Sequence, residues 1–451
     1  MVALYATDKI ARFVTGFNSS AISEAQMKTV ARALIDTYAV ATAARNDLAV
    51  KAAQAYVAGH SGPVLGSLWS NGNQVPIELA ALANGVAAQL LDYGDVVEPL
   101  SGGVSAVAVP ALCALAEATN SKGRQFAAAY IIAFEVAVKL ARALGDEPSR
   151  RGWHTTSVLG LLGTTAGAAH MLALNADQVS YALALSASLA SGSQEQIGTM
   201  GNAAQVGQTA STALRVVQLA RLNVAASKSA LDGSRGLAAL ISGSFSMNHL
   251  DALGQAPFEI DSTGIDIKRY PCSYAVQGAI EAALLMRSQY GLNGSEITGV
   301  EVTAQPNGLR ALIYPRAVTG AEARYSMHYA LAAAFLDGKV NLGTFTDAMV
   351  QRNEVQSFYK RVIVLEDEEA PESARFTIVK LALKSGSSVE RRVEAPRGSA
   401  RAPLNDREME DKARECFGYG KTEVWAKDFA STVYGMATVP MRDVLRAGRM
   451  G

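Results

Sequence analysis

His154 follows Gly152-Trp153 and stands where a helical pattern begins, at the head of Thr155-Thr156-Ser157. Near pH 7 an imidazole can take or give a proton, which suits this position to acid–base work; the plain alternative is a histidine satisfied at a helix start. Removing a proton beside a carboxylate needs such a base, together with donors for the charge that develops on the carboxylate oxygens. Lys268, with Arg269 beside it, could supply them: an ammonium there binds a substrate carboxylate, or moves a proton if burial lowers its pKa. Asp92 and Asp95 read as the end of a helix, where the negative end of the dipole disfavours a bare carboxylate. That cost points to a specific role, the alternative being a loop carboxylate bonded to backbone N–H groups. Tyr274, Gln277 and Tyr329 could bind substrate or relay a proton, whereas buried tyrosines are commonly core residues with one hydrogen bond. Cys272 has no base near it in sequence and reads as a small buried residue.

Other patterns carry no chemistry. Gly160-Leu-Leu-Gly163-Thr-Thr-Ala-Gly167 lacks the spacing of a dinucleotide-binding loop and follows no strand, so it predicts close helix packing. The five histidines, at 60, 154, 170, 249 and 328, have no metal-ligand spacing, and neither a metal nor a cofactor is implied. The three cysteines are too few and too far apart for a disulfide framework, which favours a reducing, cytoplasmic compartment. Lysine plus arginine equals aspartate plus glutamate at 41 each, so nothing electrostatic calls for nucleic acid or an anionic membrane. The N-terminal stretch lacks a basic region followed by an apolar run. Phe126 to Val138 is the most apolar stretch, but it contains Glu135 and falls short of the roughly 20 residues of a membrane span.

These groups must be positioned by a chain of 451 residues, 49% hydrophobic, which is long enough for two domains. Ser23 to Gln26 has capping-box spacing, and apolar residues follow from Met27 to Tyr38 at helical intervals. Pro76 can open the next helix, and further helices are predicted over 108–119, 124–144, 155–173, 176–190 and 204–222. From about residue 265 the character changes: a helix over 274–288, a strand from Ile297 to Ala304, and a helix over 326–336. Phe376 to Leu383 and Val389 to Ala395 read as strands paired across Lys384-Ser-Gly386-Ser. After Pro396 the pattern returns to helix, with Asn405 or Asp406 as cap.

Several segments, in order along nearly the whole chain, resemble the MmgE/PrpD family, whose members include dehydratases, a decarboxylase and an epimerase of small carboxylic acids. They are Leu91-Asp-Tyr-Gly-Asp95 with Val109-Pro110 downstream, Gly152-Trp-His-Thr-Thr-Ser157, Leu231-Asp-Gly-Ser-Arg-Gly236 and Ile267-Lys-Arg-Tyr-Pro-Cys272. Tyr325-Ser-Met-His-Tyr329 is a weaker fifth. The resemblance implies a mainly α fold, with a large all-helical domain built from both chain ends (1–264 and 397–451). A smaller α+β lid would be inserted at 265–396, and the chain would form a homodimer. It also places His154, Lys268 and Asp92 in the active site.

The chain departs from the family pattern where His-Pro-Ser is usual and Gly103-Val104-Ser105 stands here. The usual lysine and histidine of the Thr-Lys-Pro region fall on Asn202 and Gln205, and a further histidine falls on Gln277. Positive and titratable groups are thus replaced by neutral ones, and a buried unpaired carboxylate is costly. The expectation is a lyase of hydratase or dehydratase type acting on a small carboxylic acid less charged than a tricarboxylate. His154, Lys268, Asp92 and Tyr274 would be the catalytic groups, and Asn202, Gln205, Arg269, Gln277 and Tyr329 would hold the substrate. An epimerase sharing the same deprotonation, a decarboxylase, and a non-catalytic metabolite-binding relative are the alternatives.

Overall fold

The computed structural model describes residues 4–371, 374–422 and 424–448; the first three residues of the N-terminal stretch lie outside it. The fold is mainly α, and contacts divide it into two compact units. The larger comprises Met1–Leu90, Gly94–Asp266 and Asp406–Gly451, and the smaller Leu91–Tyr93 with Ile267–Asn405. Three residues of the first half of the chain therefore belong to the smaller unit. Among the described residues no helix is long and apolar enough to cross a membrane.

The larger unit opens with α1 (Ala6–Gly16), α2 (Glu24–Ala43), α3 (Leu48–Ala58) and α4 (Ile77–Leu90). The capping box is present: Ser23 accepts from the Gln26 backbone, and the Gln26 side chain accepts from that of Ser23. Next come α5 (Ser105–Thr119), α6 (Gly123–Leu144), α7 (Thr155–Met171), α8 (Ala176–Leu189) and α9 (Met200–Arg221). Helix α6 carries the stretch from Phe126 to Val138, buried on every side. It can be so because α7 meets it through glycine: a Cβ at Gly163 or Gly167 would fall on the carbonyl oxygen of Ala133 or Ala129. This accounts for the Gly160 to Gly167 pattern as packing.

In the smaller unit, β1 (Ile297–Ala304) pairs in parallel with β2 (Val362–Glu366) and antiparallel with β3 (Thr377–Leu383), which pairs with β4 (Ser388–Val393). The sheet order is β2-β1-β3-β4. Ile297, Val300, Val302, Val379 and Leu381 alternate inward to a core shared with α10 (Gln277–Tyr290) and α11 (Met327–Asp337). Strand β2 was not expected from the sequence. It is an edge strand whose Ile363 and Leu365 face outward, so the polar alternation that signals a half-buried strand is missing.

The chain then returns to the larger unit as α12 (Asp406–Tyr419), which packs on α2. The Lys412 ammonium meets Asp36 Oδ1 at 2.6 Å, with both side chains almost fully buried. Two charges out of water hold only as a pair. Lys412→Ala should therefore cost about 3–5 kcal/mol in urea unfolding, whereas Lys412→Met combined with Asp36→Leu should cost much less. Equal losses in the two variants would show that the pair does not fix α12.

Candidate active site

The sequence-derived residues fall into two groups, one in each unit. In the smaller unit Lys268 is buried and donates from Nζ to Asp92 Oδ1 at 2.7 Å and to the Asp92 carbonyl at 3.0 Å. Asp92 does not end a helix: α4 stops at Leu90, and Asp92 takes a left-handed conformation with φ of 48°. An aspartate tolerates that conformation better than most residues, and here it turns both the carbonyl and one carboxylate oxygen toward the ammonium. The other oxygen, Oδ2, is buried without a hydrogen-bond partner among the described residues. A buried acceptor left open this way is costly unless something supplies a donor.

The loop carrying Lys268 is held from inside. Gln277 is buried; its amide oxygen accepts from the backbone N–H of Arg269 at 3.2 Å and of Tyr270 at 3.1 Å. Its amide nitrogen donates to the carbonyls of Tyr270 and Cys272. The polar capacity of Gln277 is thus used to shape the loop. The Tyr93 hydroxyl donates to the Arg269 carbonyl at 3.0 Å, while the Arg269 side chain is exposed. Tyr274 opens a short helical turn just before α10 and is half-buried. Burial pushes the Cys272 thiol well up, so it is no nucleophile at neutral pH. Tyr329 lies in the core of this unit, its hydroxyl donating to the Thr344 carbonyl.

Arg324 escaped the sequence reading. Its carbonyl accepts from Ser273 N–H at 2.9 Å, and its positive charge acts on the Cys272 thiol. Its Nε is buried without a hydrogen-bond partner among the described residues. An available guanidinium donor beside the Lys268 loop is suited to an anionic group. The only sequence signal was its place immediately before Tyr325-Ser-Met-His.

In the larger unit His154 is the N-cap residue of α7, and its Nδ1 is 2.9 Å from Ser157 Oγ. With Nδ1–H donating to Ser157, Nε2 carries the free lone pair. Burial pushes the imidazole down to about 4, although the residue keeps a partly accessible edge. The backbone around it is pinned by a short antiparallel pairing. Trp153 bridges Ser193, His154 N–H donates to the Gly192 carbonyl at 3.1 Å, and Gln194 N–H to that of Gly152 at 2.9 Å.

Asn202 and Gln205 belong to the first turns of α9, which starts at Met200 and not at 204. Gln205 grips Ser193 from both sides, accepting from its N–H at 3.0 Å and donating to its carbonyl at 3.3 Å, and also donates to Asn202 Oδ1 at 3.0 Å. His154, Gln205 and Asn202 are therefore linked through the 192–194 segment.

Asp95 stands in a short extended segment, not at a helix end. Its carboxylate accepts from the N–H of Val104 and Ser105 at 3.3 Å, closing the start of α5. Burial raises it to about 6. The loop before α5 rests on the first turn of α7, with Gly103 N–H donating to Thr156 Oγ1 at 3.1 Å. A Cβ at Gly103 would come within 2.5 Å of the Asp95 carbonyl oxygen, so no side chain fits there without moving the loop. Among the described residues no three His, Cys, Asp or Glu side chains cluster as a metal site.

The MmgE/PrpD N-terminal domain matches residues 8–250 and the MmgE/PrpD C-terminal domain residues 270–428. Human cis-aconitate decarboxylase is 25% identical over 425 residues, covering 90% of this chain and 87% of its own length. The mouse cis-aconitate decarboxylase is 23% identical over 422 residues, with 90% and 86% coverage.

His154 should titrate near pH 4 by NMR, about 4 in place of the usual 6.5. On acidification the unfolded chain then takes up a proton that the folded chain refuses. The His154 contribution to stability is thus intact above the unfolded pKa and is lost as pH falls through 6.5 toward 4. The Tm of His154→Asn relative to wild type should rise between neutral pH and about pH 5; an unchanged difference would mean the ring is not desolvated.

Proposed function

This chain belongs to the MmgE/PrpD family, and from that premise we propose that it is a cofactor-independent lyase of hydratase or dehydratase type. Its substrate is a small carboxylic acid deprotonated next to its carboxylate or carbonyl. The observation that carries the reading is His154, kept neutral by burial, with Nδ1 occupied by Ser157 and Nε2 open. A base must be unprotonated before the substrate arrives. An anionic substrate settling beside it then raises its pKa, so that its affinity for the proton grows when the proton is to be taken.

Lys268 and Arg324 supply the donors for the substrate carboxylate. Asp92 holds the ammonium and keeps its own Oδ2 open to a hydroxyl or a protonated acid on the substrate. The electron pair left by the departing proton is stabilised on the carboxylate or carbonyl oxygens, and in a dehydration the hydroxyl leaves from the neighbouring carbon with a proton from an acid such as Tyr274. Because the Lys268–Asp92 pair carries no net charge and positions 103, 202 and 205 are neutral, the cationic complement suits fewer carboxylates than a tricarboxylate has.

Decarboxylation is the second reading, supported by the names of the two curated relatives. It needs a proton donor for the carbanion left by carbon dioxide, a role for which a histidine lowered to about 4 is poorly charged in the free protein.

Proton NMR in deuterium oxide over a panel of small hydroxy and unsaturated carboxylic acids tests both readings. New alkene signals or deuterium beside the carboxylate are expected with wild type, falling by about 10²–10⁴-fold in His154→Ala. Lys268→Ala should chiefly raise KM. Carbon dioxide release in place of exchange would move the assignment to a decarboxylase, and low-micromolar binding of a tricarboxylate would sink the low-charge substrate.

A further inference from the structure

The larger unit holds a concavity that the proposed chemistry does not use. It has a volume of about 630 Å³ and lies between α1 and the short helical turns Asn248–Asp251 and Glu259–Ser262. None of its lining residues belongs to the His154 or the Lys268–Asp92 group. Phe17, on its wall, packs against His170 at a ring separation of 5.7 Å. His170 is at the far end of the helix that His154 begins, about 24 Å along the axis.

The floor is aromatic and held in place. Phe13 meets Phe17 edge-on at 5.8 Å, and Phe17 meets Phe258 at 5.8 Å. His170 is fixed by the Val14 carbonyl at 2.9 Å and Ser19 Oγ at 3.2 Å, which in turn fixes the Phe17 ring against it. Leu250 and Leu253 extend the apolar lining. Preformed concavities of this size, mostly apolar with a few polar groups, are what small ligands occupy.

The charges at the rim are unequal. Lys9 is neutralised by an ion pair with Asp251. Gln26 is spent on Asp261 at 2.7 Å and on its own helix cap. Arg12 lines the concavity, is exposed, and has no ion-pair partner among the described residues. One available guanidinium therefore lines the same concavity as the three phenylalanine rings, and a guanidinium pairs with a planar carboxylate through two parallel hydrogen bonds.

We propose that this concavity is a second ligand site, for an amphipathic monocarboxylate whose apolar body lies on Phe13, Phe17 and Phe258 and whose carboxylate pairs with Arg12. The ligand differs in kind from the small polar acid assigned to the His154 and Lys268 residues, so the two sites are separable by experiment.

Gly16 provides the means. It closes α1 and lines the concavity, and a Cβ there would meet nothing within 4 Å. A Cβ is therefore accommodated at 16, and Gly16→Trp puts an indole at the concavity while replacing a poor helix former. Decanoate, titrated calorimetrically into the full-length protein below its micelle concentration, should bind saturably at one site. Arg12→Gln should weaken it by about tenfold, the worth of one charge-assisted interaction, and Gly16→Trp should abolish it with the melting temperature unchanged. Decylamine, with the same chain and the opposite charge, should not bind. Absence of saturable decanoate binding, or affinity unchanged in Arg12→Gln, would overturn the proposal; so would equal binding of decylamine.

Discussion

Two ammonium groups removed from water in this protein, those of Lys268 and Lys412, are each held by a carboxylate, and those pairs decide where the chain can go. An ammonium as buried as that of Lys268 must be met by an anion, and the anion available is Asp92, far away in sequence. Meeting it requires Asp92 to leave the helical path at Leu90 and turn left-handed, which attaches Leu91–Tyr93 to the smaller unit. The same constraint seats α12 on α2 through Lys412 and Asp36. In α6, Glu135 accepts from the Glu259 backbone at 2.6 Å, and Lys139 bonds Glu259 at 2.9 Å. Burial raises Glu135 to about 7, so part of that cluster is relieved by protonation near neutral pH.

A second constraint acts on the backbone. Buried N–H and C=O groups must find partners, and around His154 they find them in the 192–194 segment, itself gripped by Gln205. Around Lys268 the partner is the amide of Gln277. A side chain can be aimed only as well as the main chain beneath it is fixed. Two glutamines that the sequence offered as substrate ligands have their hydrogen bonds committed to that task. Both use the neutral donor–acceptor pair of an amide, which can satisfy an N–H and a C=O at once where a lysine, having no acceptor, could not.

Much was legible along the chain because it is local. Apolar spacing and the Ser23 capping box defined helices to within a few residues, and the turn at Lys384 to Ser387 announced the β3–β4 hairpin. The edge strand β2 was not legible: its outward Ile363 and Leu365 erase the alternation, and its partner β1 is some sixty residues earlier. Asp95 shows the same limit in the site. A carboxylate near a helix end can serve chemistry or cap another helix, and only the fold reveals that its partners are the N–H groups of Val104 and Ser105. Arg324 carried no pattern beyond its place before Tyr325-Ser-Met-His, since its significance is an Nε without a hydrogen-bond partner among the described residues, a property of the packing.

Residue types and the family resemblance singled out an imidazole, an ammonium and a carboxylate as candidates for moving a proton beside a carboxylate. They also determined the helical build, because helix periodicity and capping are written within a few turns. The tertiary structure alone decided the state of those groups. It made the imidazole neutral by enclosing it, tied the ammonium to Asp92, committed Gln205 and Gln277 to the backbone, and left Asp92 Oδ2 and Arg324 Nε open. A pKa, an ion pair and an unmet hydrogen bond each depend on atoms brought together from distant parts of the chain, and no local pattern encodes them.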